Sequence, residues 1–152
     1  MADLTININE SITLNNQVIE SSDTRTISGI GEISKRILTI TTNEAEIATF
    51  SGAVASSGHY NDSAVRYIRF TNLDSTNHIA LVLKNENNDE FGVKVDKGCS
   101  FLYGVDLSGG VVDTMDSADA AGITPDSFGD LVDITCAANT AACDVEVFVA
   151  SA

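Results

Sequence analysis

The sequence predicts an all-β protein: a single β-sandwich, jelly-roll-like, of about eight to ten short strands. Three observations point there. Thr, Ile, Val, Ser and Asn are plentiful while long straight-chain helix formers are scarce, a bias toward strands and turns. Apolar residues alternate with polar ones over many short stretches. Clusters of Asn, Asp, Gly and Ser interrupt those stretches at short intervals. With 152 residues, 43% of them hydrophobic, the chain is long enough to bury a core. Residues 1–152 are expected to form one domain, residues 1–34 being a candidate extended N-terminal arm.

In chain order, Leu4, Ile6, Ile8, Ile12 and Leu14 share parity, which predicts a strand over 4–14. Leu14-Asn15-Asn16-Gln17 then offers a turn. A mixed segment follows, in which Gly29 and Gly31 argue against a helix. Residues 35–41, "KRILTIT", and 45–52, "AEIATFSG", read as strands, and 51–63 as a Gly/Ser-rich loop. Residues 65–105 read as a four-stranded meander with polar turns at 85–90 and 96–98. Residues 106–130 are small and acidic, predicting a long surface loop with one helical turn near 114–121. "LVDITC", a loop, and "CDVEVFVAS" read as a final hairpin, the last strand having one wet face through Asp144 and Glu146.

The stretch "VRYIRFTNLDSTNHIALVLKN" (65–85) reads as a hairpin with apolar residues on both faces of each strand. Ile79, Leu81 and Leu83 form the heavier row, so Ile68 and Phe70 are expected in the core with Tyr67 and Arg69 outward. Something must then cover the second face: either other parts of this chain, or a neighbouring chain. Tyr67 and Arg69 combine large apolar bodies with polar tips, as contact anchors do. Val65, Tyr67 and Arg69 are therefore candidate protein-interface residues.

Twenty-two acidic residues against eight basic ones give a formal charge of −14. That surface disfavours nucleic acid and anionic membranes as partners. The N-terminus lacks the pattern of a signal peptide, and no apolar run has transmembrane length, so retention in a cytoplasm is expected. Three cysteines, Cys99, Cys136 and Cys143, leave one unpaired in any disulfide scheme, and buried thiols are expected. Cys136 and Cys143 flank the loop of the final hairpin and should point into the core side by side. They are expected as reduced thiols there, although that geometry would also permit a disulfide.

No sequence signature of catalysis stands out. His59 and His78 fall in predicted turns. The Asp89–Glu90 pair sits in an Asn-rich turn. The acidic run Asp113, Asp116, Asp119 and the stretch 85–90 lack calcium-loop spacing. "SGIGE" lacks the rest of a nucleotide fingerprint. The expectation is therefore no enzyme, no cofactor and no metal. Tyr60 beside Asp62 is the one candidate for stacking on a sugar.

The segments "RYIRFTNLDSTNHIALVLKN", "KGCSFLYG" and "AANTAACDVEVFVAS" resemble small β-rich virion proteins of tailed phages, particularly those infecting marine bacteria and cyanobacteria. The resemblance covers a little over half of the chain, within residues 64–152. It lies in strand-and-turn patterning and carries over no site residues. It implies a non-enzymatic virion structural protein assembled in the host cytoplasm, head decoration being preferred over a tail or fibre accessory. A carbohydrate-binding adhesin module is the alternative. Implied partners are the major capsid or tail proteins and further copies of the chain.

Overall fold

The structure is a computed structural model that describes residues 1–54, 56–116 and 128–152. Eleven strands form among the described residues: β1 (Ala2–Leu14), β2 (Gln17–Ile30), β3 (Glu32–Ile40), β4 (Ala45–Ser51), β5 (His59–Asn61), β6 (Val65–Asn72), β7 (Ile79–Asn85), β8 (Glu90–Val95), β9 (Ser100–Val105), β10 (Leu131–Ala138) and β11 (Cys143–Ser151). A five-stranded sheet runs β5-β4-β10-β7-β8 and a four-stranded sheet runs β3-β11-β6-β9. The two pack face to face as the expected β-sandwich. The strands β1 and β2 stand apart as a two-stranded ribbon. At 13 and 14 residues they are far from short.

Apart from the edge strand β5, which has no counterpart, the two sheet orders match position for position. The chain steps from β3 to β4, β6 to β7, β8 to β9 and β10 to β11, and each step leaves one sheet for the other. This corrects three connections read from the sequence. Residues 65–85 are not a hairpin: β6 pairs with β11 and β9, while β7 pairs with β10 and β8. The four-strand meander is therefore split between sheets, and only β7–β8 is a hairpin within it. The final pair, β10 and β11, is likewise divided. A polar turn between two apolar runs suits a crossing between sheets as well as a hairpin, so alternation did not distinguish them. The short strand β5, inside the stretch read as a loop, pairs in parallel with β4. The helical turn expected near 114–121 lies mostly outside the described residues.

Between the sheets lies one continuous core. It holds Ile68 and Phe70 from β6, Ile79, Leu81 and Leu83 from β7, Ile134 from β10, and Val145, Val147 and Val149 from β11. These side chains are essentially inaccessible. Burying each contributes about 1.5–3 kcal/mol relative to exposure. Val65 joins this core, although it shares sequence parity with Tyr67. Ser151 pairs with Val65 and Ala150 with Tyr67, so Arg66 is an extra residue on β6. This β-bulge turns the strand over and sends Val65 inward. The Arg66 guanidinium secures the bulge by donating to the carbonyls of Ser63, Val65 and Leu107 at 2.8–3.2 Å.

Two buried asparagines fasten loops to the ends of strands of the sandwich. Asn72 ends β6; its amide donates to the carbonyls of Asn77 and Val95, and its oxygen accepts from the Asp74 N–H. Asn85 ends β7; its amide donates to Asp89 and to the Met115 carbonyl, and its oxygen accepts from the N–H groups of Asn87 and Asp89. Buried polar groups satisfied in this way order the chain around them at little cost. The start of the long loop is held by Val111, which accepts from Leu131 and donates to Asp62. Gly110 there has φ +79, and a Cβ would meet the Asp62 carbonyl at 2.0 Å.

The cysteines differ in kind. Cys136 and Cys143 are fully buried in the main core, on strands of opposite sheets and not side by side on one hairpin. Cys99 is exposed, contrary to the expectation of burial. Burial pushes the Cys136 thiol up to about 12, the neighbouring Cys143 adding to it, and burial raises Cys143 as well. Thiolate is the reactive form, so both should be inert in the native protein. With an alkylating reagent near neutral pH, one thiol per native chain, Cys99, should label rapidly, and all three after unfolding. Rapid labelling of Cys136 in the native state would contradict its placement.

Candidate functional site: the outer face of the four-stranded sheet

The two outward faces of the sandwich differ in chemistry. On the five-stranded sheet, register places Glu46, Asp133 and Glu90 outward with Lys84 and Lys94. That is a solvated, acidic face, on which partial burial and nearby Glu46 and Glu90 raise the Asp133 carboxyl while Lys84 opposes them. On the four-stranded sheet, the outward rows are Ile33, Ala150 and Tyr67; Lys35, Phe148, Arg69 and Leu102; and Ile37, Glu146, Thr71 and Ser100. An apolar outer face of this kind needs a cover.

Part of that cover is the chain itself. Ile27 and Ile30, at the root of the ribbon, close over Tyr67 and Ala150, with Leu4, Ile6 and Phe148 packed around them. Tyr67 meets Phe148 edge-on at 5.8 Å between ring centres, a favoured aromatic geometry. Burial pushes the Tyr67 phenol up, with Arg69 pulling it down. The ribbon reaches this position through a bulge at its root: Ala2 pairs with Ile30 and Leu4 with Ile27, leaving one more residue on β2 than on β1. Gly29 takes φ +81 there, a conformation that costs glycine no steric strain.

Beyond the root, β1 and the sheet bound a groove of about 380 Å³, with Ile6, Ile8, Tyr67, Arg69, Leu102 and Phe148 among its lining residues. Its polar element is a three-membered ion cluster. Glu146 accepts from Lys35 at 3.0 Å and from Arg69. The Arg69 guanidinium lies 5.5 Å from the Phe148 ring centre, as in a cation–π contact. Hydrogen bonding from Lys35 holds the Glu146 carboxyl below the usual carboxylate range; burial opposes this, and the charges of Lys35 and Arg69 reinforce it.

The residues named from the sequence fall as follows. Arg69 lines the groove, and Tyr67 lies on its floor beneath the ribbon root. Val65 does not reach this face, because the Arg66 bulge puts it in the core. Sequence reasoning missed Phe148, Glu146, Ile27 and Ile30. Alternation puts Glu146 on a wet face, yet it is 9% exposed. The available signal was Phe148, which breaks the polar row of "CDVEVFVAS". Ile27 and Ile30 lay in the segment read as mixed.

The other candidates are dispersed. His59 lies in β5 and His78 just ahead of β7. Asp89 serves its own turn through Asn85. Tyr60 is buried, packed at a tilt against Phe50 and hydrogen-bonded to Ser34, so it presents no ring for a sugar. Asp113 donates its N–H to Asp130, and Asp119 lies outside the described residues. No group of three or more His, Cys, Asp or Glu converges among the described residues. The features that converge on this face are an apolar groove, an ion cluster and the root of the ribbon. Comparison with protein-family models, with curated proteins and with solved structures finds no match.

Glu146 links this face to pH. Its folded pKa lies below its unfolded value, so the native state binds that proton less tightly. The resulting stability is present above the ordinary carboxylate range and is lost as pH falls through the depressed folded value. Glu146→Gln should cost about 1–3 kcal/mol near neutral pH and should flatten the acid limb of stability, measured by urea unfolding from neutral to acidic pH. A variant with an unchanged acid limb would show that Glu146 does not set it.

Proposed function

We propose that this chain is a non-enzymatic structural protein of a phage virion that acts by protein–protein contact, head decoration being the preferred role. The observation that carries the assembly part of this reading is the ribbon. Every residue from 7 to 26 is exposed, including Ile8, Ile12, Leu14, Val18 and Ile19. A two-stranded ribbon is at best marginally stable by itself in water. A long ribbon that presents apolar side chains to solvent is suited to docking on a partner. The acidic outer face of the other sheet supports the same reading. It would keep copies soluble and separate until a specific contact forms. The virion part rests on the resemblance of the strand-and-turn patterns in residues 64–152.

Quantitative mass spectrometry of purified particles tests this reading. The chain should be present at a fixed ratio to the major capsid protein and remain with heads after heads and tails are separated. Recovery with tails in a few copies would reassign it to a tail accessory role. Absence from particles would overturn the virion reading.

A further inference from the structure

One face of the ribbon carries an apolar row along β1, interrupted by Glu10 and flanked on β2 by Arg25, Asp23, Ser21 and Gln17 as well as by two isoleucines, and among the described residues only the root of that face is covered. Leu4, Ile6, Ile8, Ile12 and Leu14 lie on that face, with Ile27 and Ile19 opposite Leu4 and Ile12 on β2. The root packs on the outer face of the four-stranded sheet over β6 and β11, and the groove beyond it reaches β9. No hydrogen bond or ion pair joins residues 9–22 to the rest of the described residues. At about 3.3 Å per residue, a strand of this length extends roughly 40 Å. The tip therefore extends beyond its root, with Ile12, Leu14 and Ile19 exposed.

The far edge of the same sheet has the converse feature. On β3 the outward residues Ile33 and Ile37 are 54% and 60% exposed, with Lys35 between them, its side chain also largely exposed. Ribbon and edge strand match in pattern. Ile8, Glu10 and Ile12 stand at alternate positions of β1; Ile33, Lys35 and Ile37 stand at alternate positions of β3. Each is an apolar–charged–apolar row with the same strand spacing, and the charges are opposite. Residues 9–22 carry Glu10 and Glu20 and no Lys or Arg. Lys35 already donates to Glu146, but an ammonium group has three donors.

We propose that the ribbon tip of each copy docks on the Ile33–Lys35–Ile37 strip of a second copy, Glu10 meeting Lys35. This rests on the assembly reading above and names its partner as the chain itself. The contact extends an existing one: the face of the ribbon that covers β6 and β11 within one chain covers β3 of the next. Tip and strip are different surfaces, so the contact is head-to-tail. It closes into a ring if the rotation permits and otherwise extends as a row.

Sedimentation velocity of the full chain and its variants tests this. The wild-type chain should self-associate, and Ile12→Asp and Ile37→Asp should each raise the dissociation constant about tenfold or more with unchanged melting. Each variant retains one intact surface, so mixing the two should restore pairwise association that neither shows alone. Glu10→Lys and Lys35→Glu should each weaken association, and the double variant should recover it. A wild-type chain that remains monomeric at every accessible concentration would overturn the proposal. So would tip variants that matter while Ile37→Asp does not, or mixing that restores nothing. In those cases, recovery of the chain with purified particles would leave the assembly reading standing with a different partner. Absence from particles would instead remove the virion reading by itself.

Discussion

The structure depends on covering an apolar face that a two-sheet sandwich would ordinarily leave to water. Tyr67, Phe148 and Ala150 lie on the outward side of the four-stranded sheet. The main core on the other side of that sheet cannot reach them. The chain covers them with Ile27 and Ile30 from its N-terminal ribbon. That contact holds the root of the ribbon on the sheet, where β2 runs through Gly31 into β3 and the Gly31 N–H donates to the Ser151 carbonyl. It also explains the bulge and the positive φ of Gly29 at the root. Both devices turn the strand pair so that its apolar face meets the sheet.

The ion cluster belongs to the same arrangement. Glu146 sits beside Phe148 with little exposure, where a lone carboxylate would be costly. Lys35 from β3 and Arg69 from β6 compensate it from both neighbouring strands. The cluster thus ties three adjacent strands together across their outer surface. It also leaves Lys35 accessible at the sheet edge. The opposite sheet bears a solvated acidic face. The molecule is therefore two-sided, with one solvated acidic face and one face that carries apolar side chains around an ion cluster.

The sequence allowed much of the strand content to be read and little of the pairing. Leu4 to Leu14, Ile79 to Leu83 and Val145 to Val149 alternate clearly, and each forms a strand in the expected place. Asn15 and Asn16, read as a turn, adopt φ 50 and 64, the positive values a tight hairpin turn of this kind requires. Alternation, however, reports which residues share a face and not which strand lies alongside. Pairing is set by contacts distant in sequence, such as Phe148 beside Arg69, and local pattern carries no trace of them. The Arg66 bulge was equally hidden, since one extra residue leaves the composition of a strand unchanged while reversing Val65. Strand β2 was missed because both its faces are largely solvated, so "QVIESSDTRTISGI" has no strong apolar row. For the contact face, Tyr67 and Arg69 were identifiable by residue type. Phe148 was marked by its break in the polar row of its strand, whereas Ile27 and Ile30 come from a distant segment with no strong apolar row.

The central claim is that the ribbon's apolar face is satisfied within the chain at its root and by a partner at its tip. Hydrogen exchange of the full chain, dilute and assembled, tests it most directly, because exchange reads local opening segment by segment. Amides of residues 2–6 and 26–30 should be protected in both states, and those of residues 9–22 strongly protected only in the assembled one. Equal protection of residues 9–22 in the two states, or exchange at the root as rapid as at the tip, would contradict it.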